Sequence, residues 1–236
     1  MKNRFFTIFI LAGFILPVVT VYSQDQTNKK ETTVEELFLQ SIELTVIGEM
    51  ATDNSRESKL EALAAIEDMI DNGRASGNDQ DLVSILDYLS LSGSGVQMRE
   101  SGLLINNYPE VRRRACESLG KLGGEDAKAS LINILLTENE PMVLAEAAYG
   151  LGTIGMNKNN QVTQALSYSI LGQNIMSPDN NYAFAVLLAF EKIAESNNGI
   201  EDPSAIRALV RIQNGNYIKT VQRKAKSVID KLRAYQ

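Results

Sequence analysis

A fifteen-residue pattern that occurs twice in the middle of the chain constrains the fold more than any other feature. Pro109-Glu110-Val111-Arg112-Arg113-Arg114-Ala115-Cys116-Glu117-Ser118-Leu119-Gly120-Lys121-Leu122-Gly123 returns 32 residues later as Pro141-Met142-Val143-Leu144-Ala145-Glu146-Ala147-Ala148-Tyr149-Gly150-Leu151-Gly152-Thr153-Ile154-Gly155. Pro109/Pro141, Val111/Val143, Ala115/Ala147, Leu119/Leu151, Gly120/Gly152, Leu122/Ile154 and Gly123/Gly155 match in identity or apolar type. A further step of 39 residues reaches Tyr182, Val186, Phe190 and Ile193, and another 39 reaches Val221, Ala225, Ile229 and Leu232. Stepping back 53 residues from the first copy meets Ser58, Ala62, Ile66 and Met69. Recurrence on this scale marks a stack of similar helical units rather than a single compact bundle.

The unit has a physical reading. A proline at the helix start supplies a fixed φ where the backbone amide has no partner to lose. Val111, Ala115, Leu119 and Leu122 fall on one arc of a 3.6-residue helix and face a core. The small Ala115 and Ala147 permit close approach of the preceding helix, and Gly123 and Gly155 are expected to end the helices as left-handed caps. Leu131, Ile132, Ile134, Leu135 and Leu136 supply the antiparallel partner.

The string Pro-x-Val-Arg-x-x-Ala-x-x-x-Leu-Gly-x-Leu-Gly resembles the second helix of a HEAT repeat, in the short bacterial HEAT-like form. The match is strongest over 109–155, weaker over 178–196 and 217–234, and marginal over 53–72. The resemblance implies an all-α, right-handed solenoid of four to five antiparallel helix pairs, used as a binding scaffold with second helices lining the concave side. The repeat's arginine appears as Arg112, but Leu144, Ala183 and Gln222 replace it later, so any arginine ladder between repeats is incomplete. Armadillo and tetratricopeptide arrays explain the Val-Arg-x-x-Ala pattern less well.

Apolar spacing of three and four residues places helices at about 34–51, 55–72, 79–91, 109–121, 125–137, 141–154, 160–173, 180–196, 203–213 and 217–234. The solenoid thus runs over 34–236. The 53-residue step exceeds the others, and the irregular segment 93–107 occupies the excess. It reads as a long loop, a small hairpin turning at Ser101-Gly102, or a degenerate helix.

The chain has no His and only one Cys, Cys116. That excludes Ser-His-Asp and Cys-His catalysis, His-ligated zinc, an internal disulfide and a CxxC site. Ser92-Gly93-Ser94-Gly95 lacks the lysine of a phosphate loop. The acids Asp53/Glu57/Glu61 and Glu67/Asp68/Asp71 have helical spacing and read as solvated faces rather than acid/base pairs. No catalytic residue, cofactor site or metal site is assigned, and the chain reads as a non-enzyme. An enzyme based on carboxylates or lysine is the remaining catalytic alternative.

Residues 1–23 read as a secretory signal peptide. Lys2 and Arg4 precede an uncharged stretch from Phe5 to Val21, then Val21-Tyr22-Ser23 and a polar run. Cleavage after Ser23 would place the protein in the periplasm or cell envelope, beginning with a flexible polar lead-in over 24–33. The alternative is an uncleaved anchor that makes the chain a structural subunit of an envelope assembly. Membrane association is expected only in that case. In the oxidising compartment Cys116 reads as a buried small residue.

Charge is segregated. Residues 24–202 carry a net charge of −15, whereas 203–236 carry +7. An acidic body disfavours nucleic acid as a partner. Another protein is the expected partner, with self-association left open. On the second helices, positions 113, 117 and 121 and their equivalents project away from the core stripe. Tyr149, Phe184 and Leu188 would then form an apolar centre flanked by Arg113, Arg223 and Lys231. Burial of these side chains by tight stacking is the competing reading.

Overall fold

The computed structural model describes residues 33–94 and 98–235. The signal segment and nearly all of the polar lead-in, residues 24–32, lie outside them. Among the described residues the chain is an all-α solenoid of ten helices. They are α1 (Val34–Thr52), α2 (Arg56–Asp71), α3 (Gln80–Ser90), α4 (Pro109–Leu122), α5 (Gly124–Thr137), α6 (Pro141–Ile154), α7 (Gln161–Gly172), α8 (Asn180–Asn197), α9 (Pro203–Asn214) and α10 (Lys219–Arg233).

The even-numbered helices begin at 56, 109, 141, 180 and 219, which reproduces the steps of 53, 32, 39 and 39 read from the sequence. Different local chemistry starts each of them. Pro109 and Pro141 occupy the first turn of α4 and α6. Ser55 caps α2 by accepting from the Ser58 N–H at 3.3 Å, and Asp179 caps α8 by accepting from the Tyr182 N–H at 2.7 Å.

The recurring apolar positions are the core. Val111, Ala115, Leu119, Val143, Ala147, Leu151, Tyr182, Val186, Phe190, Ile193, Val221 and Ala225 are all buried, as are Ala62, Ile66 and Met69. Ser58, Ile154 and Ile229 are only half-buried. Each even helix packs beside the next, and the odd helices form a second layer that makes less extensive contact within itself. Cys116 lies inside α4 and is fully buried, and that burial pushes its thiol far above the ordinary range.

One local expectation needs correction. Gly155 is a left-handed cap at φ 70°, ψ −1°, but Gly123 sits at φ 74°, ψ −166°. Gly124 follows at φ 90° and opens α5 at once, so the chain leaves α4 by an extended glycine step with no room for a left-handed curl. Glycines of the same helices also make very close approaches. A β-carbon on Gly120 would lie 2.7 Å from the Gly150 Cα, and one on Gly152 would lie 2.7 Å from the Ala189 Cα. Helices α4, α6 and α8 therefore touch backbone to backbone.

The irregular segment resolves as the hairpin alternative. Strands β1 (Arg99–Glu100) and β2 (Leu103–Leu104) pair antiparallel, with Arg99 opposite Leu104 and Glu100 opposite Leu103. Ser101 and Gly102 both have positive φ, 50° and 83°, as a tight two-residue hairpin turn requires.

Candidate functional site

The exposed side of the even layer is built from the helix positions opposite the core stripe. Arg113 on α4 does not stand free there. Its Nη1 lies 3.2 Å from Glu146 of α6 and 3.4 Å from Glu117 of its own helix. Lys121 joins Glu117 at 3.1 Å and holds that carboxyl below its ordinary value. Burial pushes the Glu146 carboxyl up, against the opposing pull of Arg113.

Similar pairs link the other even helices. Arg114 of α4 reaches Glu67 of α2 at 2.7 Å, and Arg56 of α2 pairs with Glu110 of α4. Lys224 and Lys231 of α10 converge on Glu191 of α8, and Lys231 also lies 3.6 Å from Glu195. Burial raises the Glu191 carboxyl, but the two lysines outweigh it and leave the net shift downward. Single exposed pairs contribute only about 0–1 kcal/mol, so the most exposed of them, Arg56–Glu110, adds little stability.

Tyr149 on α6 keeps 43 % of its surface exposed, and Lys192 of α8 places Nζ 4.0 Å from its ring centroid. The same ammonium donates to Thr153 Oγ1 at 3.0 Å. Phe184 and Leu188 on α8 are half-buried, and Phe184 packs against the core. Arg223 is exposed, and its Nε donates to the Lys219 carbonyl one turn back. The six residues thus lie on neighbouring even helices, with Arg113 and Lys231 committed to ion pairs between helices. Glu146 and Glu191, which complete those pairs, are not distinguishable from ordinary surface charges in sequence.

Other exposed apolar side chains lie off this face. Tyr168 on α7 is 73 % exposed beside Leu136 on α5, and Ile175 and Met176 protrude from the α7–α8 connection. Among the described residues no group of three or more His, Cys, Asp or Glu side chains is placed to hold a metal ion. No helix among them is long and apolar enough to cross a membrane.

The family model described as HEAT repeats matches residues 101–173, from the hairpin turn to the end of α7. No curated protein matches the chain. HEAT repeats generally mediate protein–protein interaction, and their scaffold is generally non-enzymatic.

Proposed function

Starting from the HEAT repeats of residues 101–173, we propose that the protein is an exported, non-enzymatic scaffold that binds another protein through the exposed face of its even helices. The observation that carries this reading is that the exposed Tyr149 and the half-buried Phe184 and Leu188 stand on α6 and α8, two helices in backbone contact at Gly152 and Ala189. Ion pairs on both sides, Arg113–Glu146 and Lys231–Glu191, tie this centre to α4 and α10. A partner meeting such a face pays little ordering entropy, because the side chains around it are already held. Export rests on the order of basic, apolar and small residues over 1–23.

Fractionation and pull-down test both parts. The native N-terminus is expected at Gln24, and a chain that retains residues 1–23 would instead support the anchored structural subunit. Phe184→Asp with Leu188→Asp is expected to lose the partner recovered from the exported fraction by about tenfold or more, the scale of a lost apolar hot spot. Undiminished recovery of the same partner would exclude this face.

A further inference from the structure

The groove between α2, α3 and the hairpin contains a charge that the fold leaves incompletely matched. Lys59 is only 4 % exposed, and its Nζ donates to the Ala51 carbonyl at the end of α1, at 2.6 Å. Its next neighbour is the Tyr88 ring, whose centroid lies 5.2 Å away. No carboxylate among the described residues lies within 4 Å of the ammonium. The other two buried cations among these residues, Arg112 and Lys128, each have one, Glu138 and Glu125. Asp53 favours the charged form of Lys59 from a distance, but its oxygens accept from the Ser55 N–H and the Ser58 hydroxyl. Burial accordingly disfavours the charged form of Lys59.

Lys59 lines a cavity of about 670 Å³, within the ordinary range for ligand sites. Tyr88, Leu91, Met98 and Tyr108 give it apolar walls, and Asn54, Asn106 and other amide or hydroxyl side chains line the rest. Asp87 also lines it, one residue before Tyr88. A buried cation with a spare donor is costly until an anion completes it, and the low surrounding dielectric strengthens that pairing.

We propose that this groove binds the C-terminus of a peptide, with the terminal carboxylate on Lys59 and the apolar side chain of the last residue against Tyr88 and Leu91. The 5.2 Å between the ammonium and the ring suits a ligand that carries its carboxylate and its apolar group close together. A C-terminal Phe or Leu does so, because its carboxylate and side chain branch from the same carbon. The site is separate from the even-helix face, so the two assignments stand or fall independently.

Titration calorimetry with N-acetyl-Leu-Phe and with its C-terminal amide tests the proposal on the full chain. The free acid is expected to bind about tenfold or more tightly than the amide, a difference of about 1.4 kcal/mol. Lys59→Met is expected to abolish that preference while melting within about 4 °C of the parent, because it replaces a buried charge with an apolar chain of similar length. Should Lys59→Met fail to fold, Tyr88→Ala at an exposed ring still tests the site and is expected to weaken both probes. Equal affinity for acid and amide, an acid preference that survives in Lys59→Met, undiminished binding in Tyr88→Ala, or no saturation by the acid up to about 5 mM would each overturn the proposal.

Discussion

Glu138→Ala is expected to lower the melting temperature by about 6–20 °C, corresponding to a loss of about 3–5 kcal/mol. Glu138 sits between α5 and α6, and one of its oxygens accepts from Arg112 Nε at 2.6 Å. The other oxygen accepts from the Asn139 and Glu140 N–H groups at 2.8 and 2.9 Å, shaping the chain just before α6. Both side chains of the pair are almost fully buried, at 4 % and 6 % exposure. Arg112 also donates to the Ser92 carbonyl and to Asn107 Oδ1, so one guanidinium joins α4, the end of α3 and the foot of the hairpin. Removing the carboxylate strands that guanidinium in a dry site, and this accounts for most of the expected loss.

The double variant Arg112→Met/Glu138→Leu is expected to recover a large part of the lost stability, because it removes both charges together. Thermal melts of the singles and the double form a cycle. Additive losses would show that the pair is not coupled and would contradict the assignment.

The second large effect concerns the contact between α6 and α8. Gly152→Ala is expected to destabilise by about 1–3 kcal/mol, even though alanine is the better helix former by about 1 kcal/mol. The added carbon would meet the backbone of Ala189 at 2.7 Å and its Cβ at 3.1 Å, and neither is a flexible side-chain end that can swing aside. Helix α8 would have to move outward, loosening Tyr149 from Lys192 as well. Gly172→Ala at the end of α7 provides the control. Nothing lies within 4 Å of its added carbon, so the same change there is expected to be neutral or to stabilise by up to about 1 kcal/mol. Chemical denaturation of the two variants decides the matter, and equal effects would mean that helix propensity rather than contact sets the outcome.

Much of the fold is legible in the sequence because it rests on local periodicity. A 3.6-residue apolar pattern that returns with the same residues at its start and end specifies helix, core face and neighbour together. The burial of Val111, Ala115 and Leu119, and of their equivalents in α6 and α8, follows directly. What the sequence conceals is longer in range. Arg112 matches the arginine of the repeat, yet its partner Glu138 lies beyond α5, and only the folded chain shows that the pair is buried. Gly120 and Gly152 are visible as matched glycines, but Gly150 and Ala189, which they approach, have no marked counterpart in the pattern.

The candidate surface was legible in the same partial way. Its residues fall on adjacent helices because they occupy the repeat positions opposite the core stripe, but Tyr149 stays exposed while Phe184 and Leu188 are half-buried. The links from Arg113 to Glu146 and from Lys231 to Glu191 join residues 33 and 40 positions apart. Nothing in a single sequence distinguishes such charges from solvated ones. Lys59 illustrates the same point in reverse, since a lysine on an amphipathic helix reads as surface but here is buried against the end of α1.

The central claim is that the even helices present the face on which a partner docks. Hydrogen exchange of the protein with and without the partner recovered from the exported fraction tests it most directly. The account predicts slowed exchange over 141–154 and 180–197, the segments of α6 and α8, with the odd helices α5 and α7 little changed. Protection concentrated instead on α5 and α7, around Leu136 and Tyr168, with α6 and α8 unaffected, would contradict it.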